Sequence, residues 1–494
     1  MAFVDGQFPG PLIEANQGDN VEVVVTNGMP MNTTIHFHGI TQIGTPWSDG
    51  VPGLTQRYIQ PGKSFTHKWK ADQYGSYWYH AHSRGQIDDG LYGPILINGK
   101  GQENCWSCTK INQLTTGIQR VFLQRDGDNQ LTDKGCLPAR SVAAGLSPGL
   151  QVNLSAIPAD IFDNCKPTNG ELAVIQVTQD PTGIVSIDEH PMYVYAVDGG
   201  YIQPQLVQAI SVANGDRYSV LIKADRAGDF AIRVASAAMP QLMSGMATMR
   251  VQAANSSSPT RVVTRGDDYG DDEDGGETGG KQKLRIQQAP PVPAPTQPAV
   301  SPTSTPYIND AGAAASRNTF KLSMRHDGAA YKWALNGTIY PASADEAPTP
   351  ILFGPPQTKD ENDVTISTQN NTWIDLVFES AIFPMPPHPV HKHGTHMYLI
   401  GQGQGNFTWN SVAKAAPARP QSFNLQNPPK RDTFQSLVAV GQPAWIAVRY
   451  HSSDPGPWLM HCHIQAHLEG GMAMVIQDGV DAWPQVPSEY LEMS

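Results

Sequence analysis

The chain has 494 residues, with 46 glycines, 41 prolines and only 16% charged residues, well below the ~25% of an average soluble protein. At about 150 residues per domain this length suggests about three domains, and the surplus of turn-formers argues for many short strands over a helical bundle. The net charge of −12 is the wrong sign for neutralising phosphates, which excludes a nucleic-acid partner, and no apolar run is long enough to span a membrane as a helix.

The opening residues, Met1-Ala2-Phe3-Val4-Asp5-Gly6, hold neither a basic nor an apolar leader segment. β-Branched runs then appear at 21–26 and 34–38, and similar runs recur at 74–82, 93–97, 172–178, 218–222, 229–235, 364–368, 373–378 and 444–450. Each is short and bounded by Gly, Pro, Asn or Asp, and no long window carries a 3.6-residue period. The pattern predicts an all-β protein of sandwich or barrel domains.

Cys105, Cys108, Cys136 and Cys165 suit two loop-tethering disulfides, in any of three connectivities, better than one tetrahedral zinc site. Residues 267–277 hold seven acids and no base, and 290–306 hold seven prolines. Such a stretch cannot bury apolar area, so 254–317 reads as a linker or insertion expected to be disordered. Six glycosylation sequons, at Asn32, Asn153, Asn255, Asn336, Asn370 and Asn406, exceed chance and favour a secreted or cell-wall glycoprotein whose leader precedes this sequence.

Fifteen histidines would give about 0.5 His-x-His pairs by chance. Four are present: His36/His38, His80/His82, His391/His393 and His461/His463. On a strand, residues i and i+2 share a face, so each pair offers two imidazoles to one metal region. The last pair brackets Cys462, which faces the opposite side in an extended backbone; one tripeptide can thus bridge two metal centres. His467 and Met472 follow five and ten residues later. A Cys with two His and a long axial Met is the ligand set of a blue-copper electron-transfer site, and His388 is the candidate for the second His.

The runs His36-Phe37-His38-Gly39, Tyr79-His80-Ala81-His82, His388-Pro389-Val390-His391-Lys392-His393-Gly394 and His461–Met472 resemble, in order and spacing, the four copper signatures of multicopper oxidases. Asp5-Gly6-Gln7-Phe8-Pro9-Gly10-Pro11, Trp47-Ser48-Asp49-Gly50 and Ser186-Ile187-Asp188 extend the likeness, which is strongest to the fungal laccase-like members. The resemblance implies three cupredoxin-like domains of Greek-key β-sandwich or barrel type, placed at 1–112, 113–253 and 318–494 around the linker. It further implies that the first domain lacks the family's opening strand, leaving a sheet edge unpaired.

It also implies four copper ions. Type-1 copper would take His388, Cys462 and His467 with Met472 axial; type-2 copper His36 and His391; the type-3 pair His38, His80, His82, His393, His461 and His463. A small phenolic or aromatic reductant would give single electrons at the type-1 site, docking at the solvent edge of His388 and His467. Cys462 would pass them through His461 and His463 to the cluster, where O2 becomes water. Axial Met implies a modest potential. Asp49 matches the family's acid beside type-2 copper, and Asp180 falls where laccases place a carboxylate that receives the phenol proton. Gln465 departs from relatives that carry an acid there. The expected state is a monomer. The alternatives are a ferroxidase or ascorbate oxidase, for which Glu469 is the one obvious adjacent acid, and a copper-binding array without turnover.

Overall fold

Alternation builds the sheets. In the strand Tyr92–Asn98 every second residue is buried, Ile95 and Ile97 almost completely, and each such side chain contributes about 1.5–3 kcal/mol on leaving water. The computed structural model describes residues 2–99, 121–124, 172–175, 182–223, 226–236, 244–251, 318–326, 332–357, 364–380, 387–439 and 441–493. Asp180, the four clustered cysteines and the segment 254–317 lie outside the described residues.

All ten β-branched runs read from the sequence coincide with strands, from Asn20–Thr26 and Ile35–His38 to Trp373–Ser380 and Ala444–His451. Strands that begin on turn-formers, such as Pro389–Lys392 and Gly456–Cys462, escaped that reading. Proline is tolerated at the first residue of a strand, so punctuation there hides the pattern. Helix is confined among the described residues to three short α-helices, Val412–Ala418, Gln465–Glu469 and Ser488–Glu492, and a few 3₁₀ turns, and none is long and apolar enough to cross a membrane.

Among the described residues the three largest apolar cores follow one another along the chain. Phe37, Tyr77 and Ile95 belong to the first, Val185, Met192 and Val212 to the second, and Leu376, Ile446 and Met474 to the third. Among the described residues Asn20–Thr26 pairs with Ser64–Lys70 alone, so one of its edges is open there. A smaller cluster joins first core to last, where Val51 and Leu54 pack with Tyr340, Leu459 and Val475. This contact brings two sheets face to face. One holds, in order, Ile13–Asn16, Tyr92–Asn98, Gly75–Ala81 and Ile35–His38; the other Thr365–Ser367, Ala473–Asp478, Gly456–Cys462, Pro389–Lys392 and Thr433–Gln435.

Candidate metal centre

Strand register places the histidines. Ile35–His38 runs antiparallel to Gly75–Ala81 with His36 opposite His80, and directly opposed residues share a face. Pro389–Lys392 runs antiparallel to Gly456–Cys462 with His391 opposite His461. His393 and His463 leave those strands tied by backbone bonds to Leu459 and Pro389. The two four-histidine faces meet: His36 stacks on His393 with ring centroids 3.9 Å apart, and His38 on His391 at 3.8 Å.

All eight rings are buried. Their nitrogens fall into three overlapping groups able to share an ion: His36 with His391 and His393, His36 with His38 and His80, and His82 with His393 and His461. The outer nitrogens are anchored. His36 Nδ1 donates to the Asp49 carbonyl at 2.7 Å, His80 Nδ1 to Ala81 at 2.9 Å, His391 Nδ1 to Asp432 at 2.9 Å and His461 Nδ1 to Cys462 at 2.9 Å. That fixes the tautomer and aims each Nε2 inward.

Nε2 of His36, His80, His82 and His391 is buried without a hydrogen-bond partner, while Nε2 of His393 and of His461 approach to 3.3 Å. A buried unpaired polar atom costs about 1–3 kcal/mol, and a cation among the rings removes several such costs together. Burial pushes His38, His80, His82, His391 and His393 toward the neutral form a metal requires, and takes His461 to about 3 and His463 to about 4. The residues therefore fit a bound metal.

On the far side of the same strand, Cys462 Sγ lies 3.6 Å from His388 Nδ1 and 3.5 Å from His467 Nδ1, and the two nitrogens are 3.1 Å apart. Burial raises the thiol's pKa, so a cation is what would draw the thiolate out. Among the described residues Cys462 is the free cysteine. Met472 is fully buried in the apolar cluster that holds Cys462. Its carbonyl accepts from Cys462 N at 3.0 Å and its N–H donates to His467 O at 2.9 Å. The short helix Gln465–Glu469 supplies His467, which keeps part of its surface; His388, expected at the solvent edge, is 0% exposed. Trp333 explains part of that cover, lying tilted against His467 with ring centroids 4.1 Å apart and edge-on to His388 at 5.1 Å.

Asp49 is buried within the basket and its Oδ2 accepts from His393 Nδ1 at 2.8 Å. His67, which matched no ligand position, is buried with its Nδ1 on Ser48 O at 3.0 Å, steadying the turn before Asp49. Gln465 Nε2 donates to Glu469 at 3.3 Å. Two contributors were not read from the sequence. Trp333 carries no motif, and Asp432 sits in an ordinary Lys430-Arg431-Asp432 run. Burial alone would raise the Asp432 carboxyl's pKa, but the Arg217 guanidinium holds it below the usual carboxylate range.

Three family models described as multicopper oxidase match residues 1–102, 94–254 and 332–482. The chain is 33% identical to the laccase abr2 of Aspergillus fumigatus, covering 99% of this chain and 93% of that one. It is 33% identical to the multicopper oxidase elcG of Phaeosphaeria nodorum, covering 99% and 89%. The fold matches that of the Botrytis aclada laccase at 23% identity and TM-score 0.66, covering 99% and 86%. It also matches that of Fet3p, a multicopper oxidase that functions in iron import, at 21% identity and TM-score 0.58, covering 99% and 89%. With its cupredoxin fold and its histidine clusters, the chain belongs to the multicopper oxidase family of copper oxidoreductases that use O2 and a reductant.

Proposed function

We propose that this protein is a laccase-like oxidase that takes single electrons from small phenolic or aromatic reductants and delivers them to O2. One observation carries the reading. The Cys462 thiol with its two imidazoles and the eight-histidine basket lie on opposite sides of one tripeptide, His461-Cys462-His463.

Four bound coppers, one at the cysteine site and three in the basket, would supply the one-electron redox steps and the reduction of O2 to water. His388, Cys462 and His467 would hold the first, together with Met472. His36 and His391 would hold the type-2 ion, and His38, His80, His82, His393, His461 and His463 the type-3 pair. Cys462 links the reductant side to His461 and His463 by a covalent path a few bonds long. Burial of the basket keeps bulky organic molecules from the oxygen-reducing side, while His467 alone of the cysteine-site ligands retains surface for a reductant to approach. Asp49, inside the basket, is placed to hold or pass protons that oxygen reduction consumes, and Asp180 would accept the proton a phenol loses.

The domain limits in this reading are 1–112, 113–253 and 318–494, with 254–317 between. Exposed sequons at Asn32 and Asn406 suit a secreted glycoprotein, and the expected state is a monomer.

Copper analysis joined to oxygen uptake tests the proposal. Four coppers per chain, an intense blue colour and faster uptake with a phenol than with Fe(II) are expected. Fewer than three coppers or a colourless protein would overturn it, and a strong preference for Fe(II) would replace the phenol with a metal reductant.

A further inference from the structure

The basket is braced by two aspartates in a crossed arrangement. Asp49 holds His36 of its own half through its backbone carbonyl and His393 of the opposite half through its carboxylate. Asp432 does the reverse, holding His391 of its own half through its carbonyl and His38 of the opposite half through Oδ1, 3.1 Å from His38 Nε2. The two rings held by each aspartate are the two that stack on each other. His38 is turned the other way from its neighbours, with Nδ1 facing His463 Nε2 at 3.1 Å, so the nitrogen left for a metal is Nδ1 and Asp432 secures its far side.

The braces differ in one respect. Asp49 meets no lysine or arginine among the described residues, whereas Asp432 is gripped in a two-pronged bond by Arg217, Nη1 to Oδ1 at 2.8 Å and Nη2 to Oδ2 at 2.5 Å. Arg217 comes from the middle core, on neither half of the basket. Its Nε donates to Ser76 O on the strand that carries His80, and its Nη1 also donates to Gly215 O. Asp198 accepts from Arg217 N at 2.8 Å and from Arg431 Nε at 2.9 Å, and Arg431 Nη2 reaches Asp216 at 2.7 Å. All five charged residues are buried. The backbone makes room for them. A Cβ on Gly39, at φ +86°, would lie 2.5 Å from Arg217 Nη2, and one on Gly215, at φ +90°, 3.0 Å from the His38 ring.

We propose that Asp432 and Arg217 are positioning residues for the trinuclear site, and that through them the middle segment, which supplies no copper ligand, sets the copper affinity of the basket. A guanidinium fork fits a carboxylate in one orientation only. It therefore fixes the rotation of Asp432, and Asp432 fixes the ring plane of His38. The inference rests on the reading of the basket as a copper cluster.

The test uses the full chain loaded with copper, in wild type and in the variants Asp432→Asn, Arg217→Lys and Asp375→Asn. Asp375 pairs with Arg449 in a buried bridge of the last core and serves as the control for lost buried charge. Copper retained on titration with a chelator is measured alongside the blue absorption of the cysteine site. Asp432→Asn and Arg217→Lys are expected to keep the blue band and bind the basket coppers about 10–100-fold more weakly, while Asp375→Asn keeps both. Wild-type retention in the first two, or equal loss in Asp375→Asn, overturns the proposal. Should Asp432→Asn not fold, Arg217→Lys, which keeps the buried cation, decides alone. A wild-type protein with blue colour but an empty basket overturns the cluster reading itself and this inference with it.

Discussion

Asp49 and His393 stand 344 positions apart in the chain and meet at 2.8 Å between Oδ2 and Nδ1, both fully buried. That bond reaches from the first sheet to the last, so the histidine basket closes only when the two cores dock. Replacing Asp49 with Asn keeps an acceptor of similar shape but removes the charge that favours the Nδ1–H tautomer. Partners of this kind typically affect metal affinity or activity 10–100-fold on mutation. A loss of oxygen uptake in that range is expected for Asp49→Asn at saturating reductant, with the blue band intact. Wild-type turnover in the variant would remove Asp49 from the cluster's chemistry.

Met472 shares the apolar pocket of Cys462 and exchanges backbone hydrogen bonds with both Cys462 and His467. Met-to-Leu is close to volume-conserving and costs less than about 1.5 kcal/mol of stability, so Met472→Leu is expected to fold and bind copper. Removal of a weak sulfur ligand destabilises the oxidised ion relative to the reduced one, and the potential of the blue site should rise. A redox titration of the blue absorption reads this directly; a potential unchanged from wild type places Met472 in the core and not at the metal.

Spacing made the histidines legible, because a strand repeats every two residues and a paired ligand prints that period in the sequence. Cys462 was legible for the same reason, being the one odd position between two histidines. Asp432 was not. Its partners His38 and Arg217 lie 394 and 215 positions away, and a lone acid beside Arg431 reads as solvated surface until the fold buries it. Trp333 stayed hidden in the same way, since only the tie of its strand to the end of the helix Gln465–Glu469, Trp333 N to Gly470 O, brings its ring against His467. The exposure of His388 was misread because ligand spacing says nothing of what covers a ligand.

Trp333 is 9% exposed and contacts both imidazoles of the cysteine site. Truncating a buried Trp to Ala typically costs about 3–5 kcal/mol, and here it also uncovers His388. Trp333→Ala is expected to lower the guanidinium midpoint and to widen reductant access, so that bulky phenols gain in kcat/KM relative to small ones. Chemical unfolding and a short series of substituted phenols measure the two effects separately. An unchanged size preference would confine Trp333 to packing.

Asp454 links the last core to the turn preceding Asp49, its Oδ1 accepting from Gly44 N at 3.2 Å while Oδ2 is buried without a partner. Burial pushes its carboxyl up to about 8, against the opposing pull of the Gly44 bond and of Lys392, with Asp478 and Asp49 adding to the rise. The folded chain thus binds this proton more tightly than the unfolded chain, whose Asp titrates at about 4. The stability Asp454 contributes is complete below about pH 4 and is lost as pH rises to about 8, at up to about 1.4 kcal/mol per pH unit. Asp454→Asn stays neutral and retains an acceptor for Gly44. Its stability advantage over wild type, measured by urea unfolding of the copper-free proteins, is expected to grow from pH 5 to pH 8 and then level. Parallel stability curves for the two proteins across that range would show that Asp454 is already ionised in the folded state at pH 5.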